Sequence, residues 1–158
     1  MYQSMSGDSD TGTSEFNAKD SEIITNNGDS FYVTNTKAII NLENNSIVNN
    51  DADGNLLRIQ KDSWGSNGNN SGDVVFKLSN QKVYGNIVVD DISKLEMNLS
   101  NGSYWEGSTN GNDITLNLDN NSKIKLTGDC HIKSLNRDST NIDFYGHKLY
   151  VDGNEIVA

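Results

Sequence analysis

The 158-residue chain carries 22 acidic against 12 basic residues, a formal net charge of −10, and only 34% of it is hydrophobic. That balance argues against nucleic acid or an anionic membrane as the main partner, because both demand an extended basic surface. With 14 Gly, no Pro and about one residue in six Asn, its turns must be made by Gly, Asn and Asp in left-handed or bridging conformations.

The length allows one domain over 1–158 with a thin core. Cys130 is the single cysteine, so neither an intrachain disulfide nor a Cys-based zinc site is available. No apolar run approaches a membrane span, so no membrane insertion is expected, and Met1 is not followed by a signal-peptide core. Any export address would lie outside this chain.

Taken in chain order, the sequence repeats itself. It opens on Met1 to Asp8, which matches Lys123 to Asp129 at the end of a coil, so the chain is expected to be the C-terminal piece of a longer solenoid. An alternating strand closed by a polar turn then recurs five times. Its copies are Phe16-Asn17-Ala18-Lys19-Asp20, Ile40-Asn41-Leu42-Glu43-Asn44, Phe76-Lys77-Leu78-Ser79-Asn80, Met97-Asn98-Leu99-Ser100-Asn101 and Leu116-Asn117-Leu118-Asp119-Asn120. A glycine followed by a small or acidic residue forms a second marker at Gly7, Gly28, Gly54, Gly85, Gly107, Gly128 and Gly153. It recurs every 21 to 31 residues or so, the length of one supersecondary unit.

Within each copy the apolar period is two. Val74, Phe76 and Leu78, then Leu95, Met97 and Leu99, then Ile114, Leu116 and Leu118 point one way, and the intervening residues point the other. Ile124 and Leu126 repeat the rule on a second strand, and Leu56 to Ile59 and Ile87 to Val89 supply a third. Three short strands per coil predict an all-β fold, a single-stranded parallel β-helix (β-solenoid) of about six coils. The general bias of parallel connections favours a right-handed winding, which the resemblance below also implies. The turn residues Asp20, Asn44, Asn80, Asn101 and Asn120 are expected to stack into an amide ladder, unless Asn is there only because it suits a left-handed turn. Residues 62–73, DSWGSNGNNSGD, exceed the coil template and are expected to leave the stack as a side loop. Open solenoid ends invite end-to-end self-association.

The stretches Ile114 to Asp119, Ser122 to Asp129 and Asn141 to Gly153, with Asn26 to Asp29 and Phe31 to Thr36 upstream, resemble large secreted or cell-surface right-handed β-helix proteins of clostridia-like bacteria. Members of that family are described as carbohydrate-binding. They are similar to calcium-, cellulose- or pectin-binding β-helices and, more distantly, to pectate lyases. The resemblance implies a bacterial surface or secreted location and a polysaccharide or cell-surface glycan as partner.

Three functions follow as expectations. Polysaccharide binding would use exposed aromatic faces for sugar rings to stack on, with Trp64, Tyr84, Tyr104 and Trp105 as candidates. Register with Val48 and Ile124 argues that Trp105 points inward or to a corner, whereas Tyr104, aligned with Lys123, faces outward. A structural or adhesive spacer needs only the rod. A calcium-dependent lyase would need carboxylates around the metal and a base, for which Arg58 on a strand is the candidate, although no acidic trio is in phase with it. Calcium itself has oxygen donors at turns in Asp51, Asp53, Asp90 and Asp91, residues that turn chemistry also explains. Cys130 reads as core, and His131 and His147 lack a zinc-ligand partner at helical or Cys-cluster spacing.

Overall fold

The computed structural model describes residues 12–63, 70–137 and 139–157. These residues wind into six coils of three strands each. The first coil holds β1 (Thr13–Lys19), β2 (Glu22–Thr25) and β3 (Phe31–Val33), and the second β4 (Thr36–Glu43), β5 (Ser46–Asn49) and β6 (Leu57–Ile59). The third is β7 (Gly72–Ser79), β8 (Lys82–Tyr84) and β9 (Ile87–Val89), and the fourth β10 (Lys94–Ser100), β11 (Tyr104–Gly107) and β12 (Thr109–Asn110). The fifth is β13 (Ile114–Leu118), β14 (Lys123–Leu126) and β15 (Cys130–Ile132). The sixth is β16 (Ser134–Asn136), β17 (Ile142–Asp143) and β18 (Leu149–Val151), and β19 (Asn154–Ile156) follows it.

Stacking gives three faces. The first is the six-stranded parallel sheet β1-β4-β7-β10-β13-β16. The third runs from β3 through β6, β9, β12 and β15 to β18, which β19 joins antiparallel. The second is split into β2-β5 and β8-β11-β14-β17, with no strand pairing between β5 and β8. The fold is therefore the expected parallel β-solenoid of about six turns.

Register follows the sequence pattern. Phe16, Ile40, Phe76, Met97, Leu116 and Leu135 lie in one column of the first sheet, as Ala18, Leu42, Leu78, Leu99 and Leu118 do two residues on. From the second coil to the fifth these side chains are buried, and slipping a strand by one residue would expose a whole set. Phe16, Phe31 and Phe76 add edge-on and tilted ring contacts inside the first three coils, with centroids 5.7 and 6.1 Å apart. Cys130 is a fully buried core residue in the column of Thr109 and Ile87.

Several details depart from the sequence reading. Gly72 and Asp73 already belong to β7, so the side loop ends before Gly72 rather than at 73. Its central residues and the opening segment that was matched to a coil end lie outside the described residues. Val48 points outward at 42% exposure while Ile47 packs on the core, so the inward residue of β5 is one place earlier than the alignment with Trp105 placed it. Gly153 marks no coil: with Asp152 at φ 49° and Gly153 at φ 78° it forms the tight turn between β18 and β19, the turn that Asp-Gly favours.

The amide ladder is also displaced. Asp20, Asn44, Asn80 and Asn101 adopt positive φ, from 47° to 55°, and Asn120 does not, so left-handed turn chemistry accounts for four of the five expected ladder positions. Asn44 Nδ2 does donate to Asp20 Oδ1 at 2.6 Å, but Asn101 turns instead to Ser79 Oγ. The stacked amides stand in two neighbouring columns. On the outer face of the first sheet Asn41 donates to Asn17, Asn117 to Asn98 and Asn136 to Asn117, with Lys77 interrupting the row. Inside the corner, Gln81 N donates to Ser103 Oγ and Ser103 N to Ser122 Oγ, each at 3.1 Å, and Asn141 Nδ2 donates to Ser122 O at 2.7 Å. Gln81, Ser103, Ser122 and Asn141 are buried, so these bonds satisfy polar atoms that water cannot reach.

The glycine marker has a steric cause at two corners. A Cβ on Gly54 would sit 2.3 Å from Gly28 O, and one on Gly107 would sit 2.2 Å from Gly85 O. Both approached carbonyls are also capped by a side-chain donor, Asn49 Nδ2 on Gly28 O at 3.0 Å and Trp105 Nε1 on Gly85 O at 2.9 Å. Gly107→Ala is therefore expected to cost about 1–3 kcal/mol in a denaturant titration, because backbone must move. Gly102→Asn, at a φ of 77° with open space around it, meets backbone strain but no clash, and asparagine tolerates that region best, so it is expected to cost less than Gly107→Ala. Equal losses at both sites would remove the steric explanation.

Candidate functional site

The outward residues of β8, β11, β14 and β17 form one face. Strand alternation sends Val83, Trp105 and Ile124 into the core. It leaves two outer columns, Lys82–Tyr104–Lys123 and Tyr84–Glu106–Lys125–Asp143. Their neighbours are fixed by strand register, so the face is as rigid as the sheet beneath it.

Tyr84 and Tyr104 meet edge to face, with ring centroids 6.0 Å apart and an interplanar angle of 60°. Tyr84 is 57% exposed. The Tyr104 hydroxyl donates to Glu106 Oε2 at 2.8 Å, and Lys125 Nζ donates to Glu106 Oε1 at 3.0 Å. Lys125 Nζ also lies 4.2 Å from the ring centre of Tyr145, a cation–π contact. Tyr145 is 67% exposed and held at φ 48°, its N–H donating to Asp143 Oδ1 at 3.0 Å. Three tyrosines, two carboxylates and three lysines thus share one surface. A shallow groove of about 420 Å³ runs across it, lined by both rings with Lys82, Glu106, Asn121 and Lys123.

The electrostatics fix the protonation states. Partial burial and the hydrogen bond to Glu106 push the Tyr104 phenol up to about 12. It therefore stays a donor at neutral pH. The Lys125 ammonium, then the Tyr104 hydroxyl, hold the Glu106 carboxyl below its ordinary range, and Glu106 in turn raises Lys125. Glu106 and Lys125 neutralise each other and lock Tyr104 in place.

The structure sorts the expected sugar contacts. Tyr84 and Tyr104 come together. Trp105 is the correction: it is fully buried, with its only polar atom spent on Gly85 O, and offers no face to a ligand. Trp64 lies outside the described residues. Tyr145, Glu106 and Lys125 were not singled out from sequence, because their convergence depends on the register of three successive coils.

The acidic turns do not assemble. Asp51 sits between β5 and β6, and its carboxylate accepts from Gly28 N at 2.6 Å and from Asp53 N at 3.0 Å, bonds that lower its pKa. Asp90 lies at another corner, after β9, and accepts from the N–H groups of Lys61, Ile92 and Ser93. Asp91 pairs with Lys61 Nζ at 3.6 Å. Among the described residues no three His, Cys, Asp or Glu side chains converge as a metal cluster would require. What Asp51 and Asp90 do hold is the turns.

Arg58, the candidate base, is committed elsewhere. Its Nε donates to Asp29 Oδ2 at 2.5 Å, and Asp29 also accepts from the backbone and side-chain amides of Asn55. Arg58 is therefore not a free base. His131 stacks on Tyr150 with centroids 4.4 Å apart and planes 6° from parallel, so each ring covers a face of the other. Another groove, about 440 Å³ on the first sheet, is lined by Asn17, Asn41, Lys77 and Asn98 and contains no aromatic ring, and a third, about 530 Å³, is lined by Asp90, Asp91, Asn110 and His131.

No family model, no curated protein and no solved structure matches the chain.

Proposed function

We propose that this chain is a non-catalytic polysaccharide-binding module of a secreted or cell-surface protein. The observation that carries the reading is the exposed Tyr84–Tyr104 pair beside the Glu106–Lys125 ion pair on a rigid sheet face. Aromatic rings offer flat apolar surface to the C–H faces of sugar rings, and the flanking amide, ammonium and carboxylate groups match their hydroxyls. The groove is open to solvent and its lining comes from three successive coils, which leaves room for a polymer to continue beyond it.

In a pull-down with insoluble polysaccharides, or affinity electrophoresis through gels containing soluble ones, the native chain is expected to be retained by at least one glycan. Tyr84→Ala with Tyr104→Ala is expected to weaken that retention roughly tenfold or more, as for the loss of two interface anchors. Failure of every glycan to retain the native chain would remove the reading. The outcome would then favour a structural spacer, for which the stacking of Lys37, Asp73 and Lys94 in register, continued by the Lys94–Asp113–Lys133 ion pairs along the first sheet, provides a rod of fixed register.

A further inference from the structure

The chain has a net charge of −10, yet the four-stranded part of the second face carries Lys82, Lys123 and Lys125 against only Glu106 and Asp143. Of the ten lysines, six pair with carboxylates of the described residues: Lys19, Lys61, Lys94, Lys125, Lys133 and Lys148. Among the described residues, Lys82 and Lys123 have no carboxylate within ion-pair distance. They flank Tyr104 in strand register, one coil to either side. With adjacent strands about 4.8 Å apart, the two ammonium-bearing positions lie roughly 10 Å apart along the stack. The carboxylate in the groove, Glu106, is already neutralised by Lys125.

We infer that the groove selects an anionic polysaccharide, one bearing carboxylate or sulfate on its sugar rings, with Lys82 and Lys123 meeting successive charges on either side of a ring stacked at Tyr84 and Tyr104. This rests on the polysaccharide reading above and adds the substrate class. The overall negative charge does not oppose it at physiological salt, because screening over about 10 Å removes the distant acids while direct contacts persist. Recognition by two lysines is recognition by point charges, so it sorts charged from neutral polymers.

The test compares four gels at about 0.1 M salt: polygalacturonate, its methyl-esterified and hence neutral form, a sulfated galactan, and a neutral glucan. Retention is expected on one or both anionic polymers, and which of them retains the chain distinguishes carboxylate from sulfate. Lys82→Gln with Lys123→Gln is expected to weaken retention roughly three- to tenfold, as is raising the salt to about 1 M. Lys37→Gln with Lys77→Gln removes two unpaired lysines from the first sheet and is expected to leave retention unchanged. Melting curves of all variants establish that the fold is kept.

Retention of the esterified polymer or the glucan equal to that of the anionic polymers overturns the inference and leaves the polysaccharide reading standing. So does a Lys82/Lys123 variant that binds like the native chain, or a Lys37/Lys77 variant that loses as much. Retention by none of the four overturns the inference, and extending the search to further neutral glycans then decides the fate of the broader reading.

Discussion

Trp105→Ala is expected to destabilise the chain by about 3–5 kcal/mol, the cost of deleting a large aromatic side chain from a packed core. Among the described residues Trp105 is the largest fully buried side chain, and its Nε1–H donates to Gly85 O at 2.9 Å across a coil boundary. Truncation leaves a cavity and also an unpaired carbonyl, which adds about 1–3 kcal/mol if no water reaches it. Trp105→Phe partly separates the two effects: it loses the donor but keeps most of the ring volume and so leaves a much smaller cavity, and about 1–3 kcal/mol is expected. Because β11 lies in the fourth of six coils, the loss falls on an internal interface, and a stack of repeats depends on such nearest-neighbour interfaces for its cooperativity. Urea unfolding followed by far-ultraviolet circular dichroism should show a lower midpoint and, for the alanine variant, a broader transition as the two halves decouple. A loss below about 1 kcal/mol would contradict the indole's burial.

The core was legible in the sequence because burial on a strand follows a period of two, and five copies of the same alternation ended in the same kind of turn. That is why Phe16, Ile40, Phe76, Met97 and Leu116 could be aligned before any coordinates, and the strand register places them in one column. The corners were not legible in the same way. At positive φ the chain bends, and the period of two no longer says where the next side chain points. Asn44 and Asn80 therefore turn the chain, while the residue after each, Asn45 or Gln81, carries the hydrogen bonds between coils. The same limit hid the candidate site. Tyr84, Glu106, Lys125 and Asp143 fall in one column only when the lengths of the intervening corners are known, and the sequence signal available was no more than Lys125 standing between two inward residues, Ile124 and Leu126. Glycine was half legible. Its recurrence marked the corners, but the cause, a carbonyl of the preceding coil pressed against the Cα of Gly54 or Gly107, is a contact between coils that spacing alone does not reveal.

Gln81→Ala is expected to cost about 2–4 kcal/mol, a large loss for a polar residue, because of where the amide sits. The second face is interrupted between β5 and β8, and Gln81 spans the interruption. Its Oε1 accepts from Asn45 N at 2.7 Å and from Asn45 Nδ2 at 3.1 Å, and its Nε2 donates to Asn45 O at 2.9 Å and to Lys82 O at 2.8 Å. The side-chain amide thus serves both main-chain groups of Asn45, as a paired strand would. Gln81 is 1% exposed, so alanine leaves groups of Asn45 and Lys82 without partners in a place where water enters only at a cost. Gln81→Glu tests the donor side alone: its carboxylate can still accept from Asn45, but it cannot donate to the two carbonyls and brings a charge into the corner. It is expected to be at least as damaging as alanine. The effect should also be local, since strand pairing in a solenoid runs between neighbouring coils. Hydrogen exchange is expected to speed up at Asn45 and through β2 and β5, while β11 and β14 keep their protection, because the β8-β11-β14-β17 sheet stays intact below the break. Uniform acceleration across both parts of the second face would mean that Gln81 supports the whole stack rather than joining its two pieces.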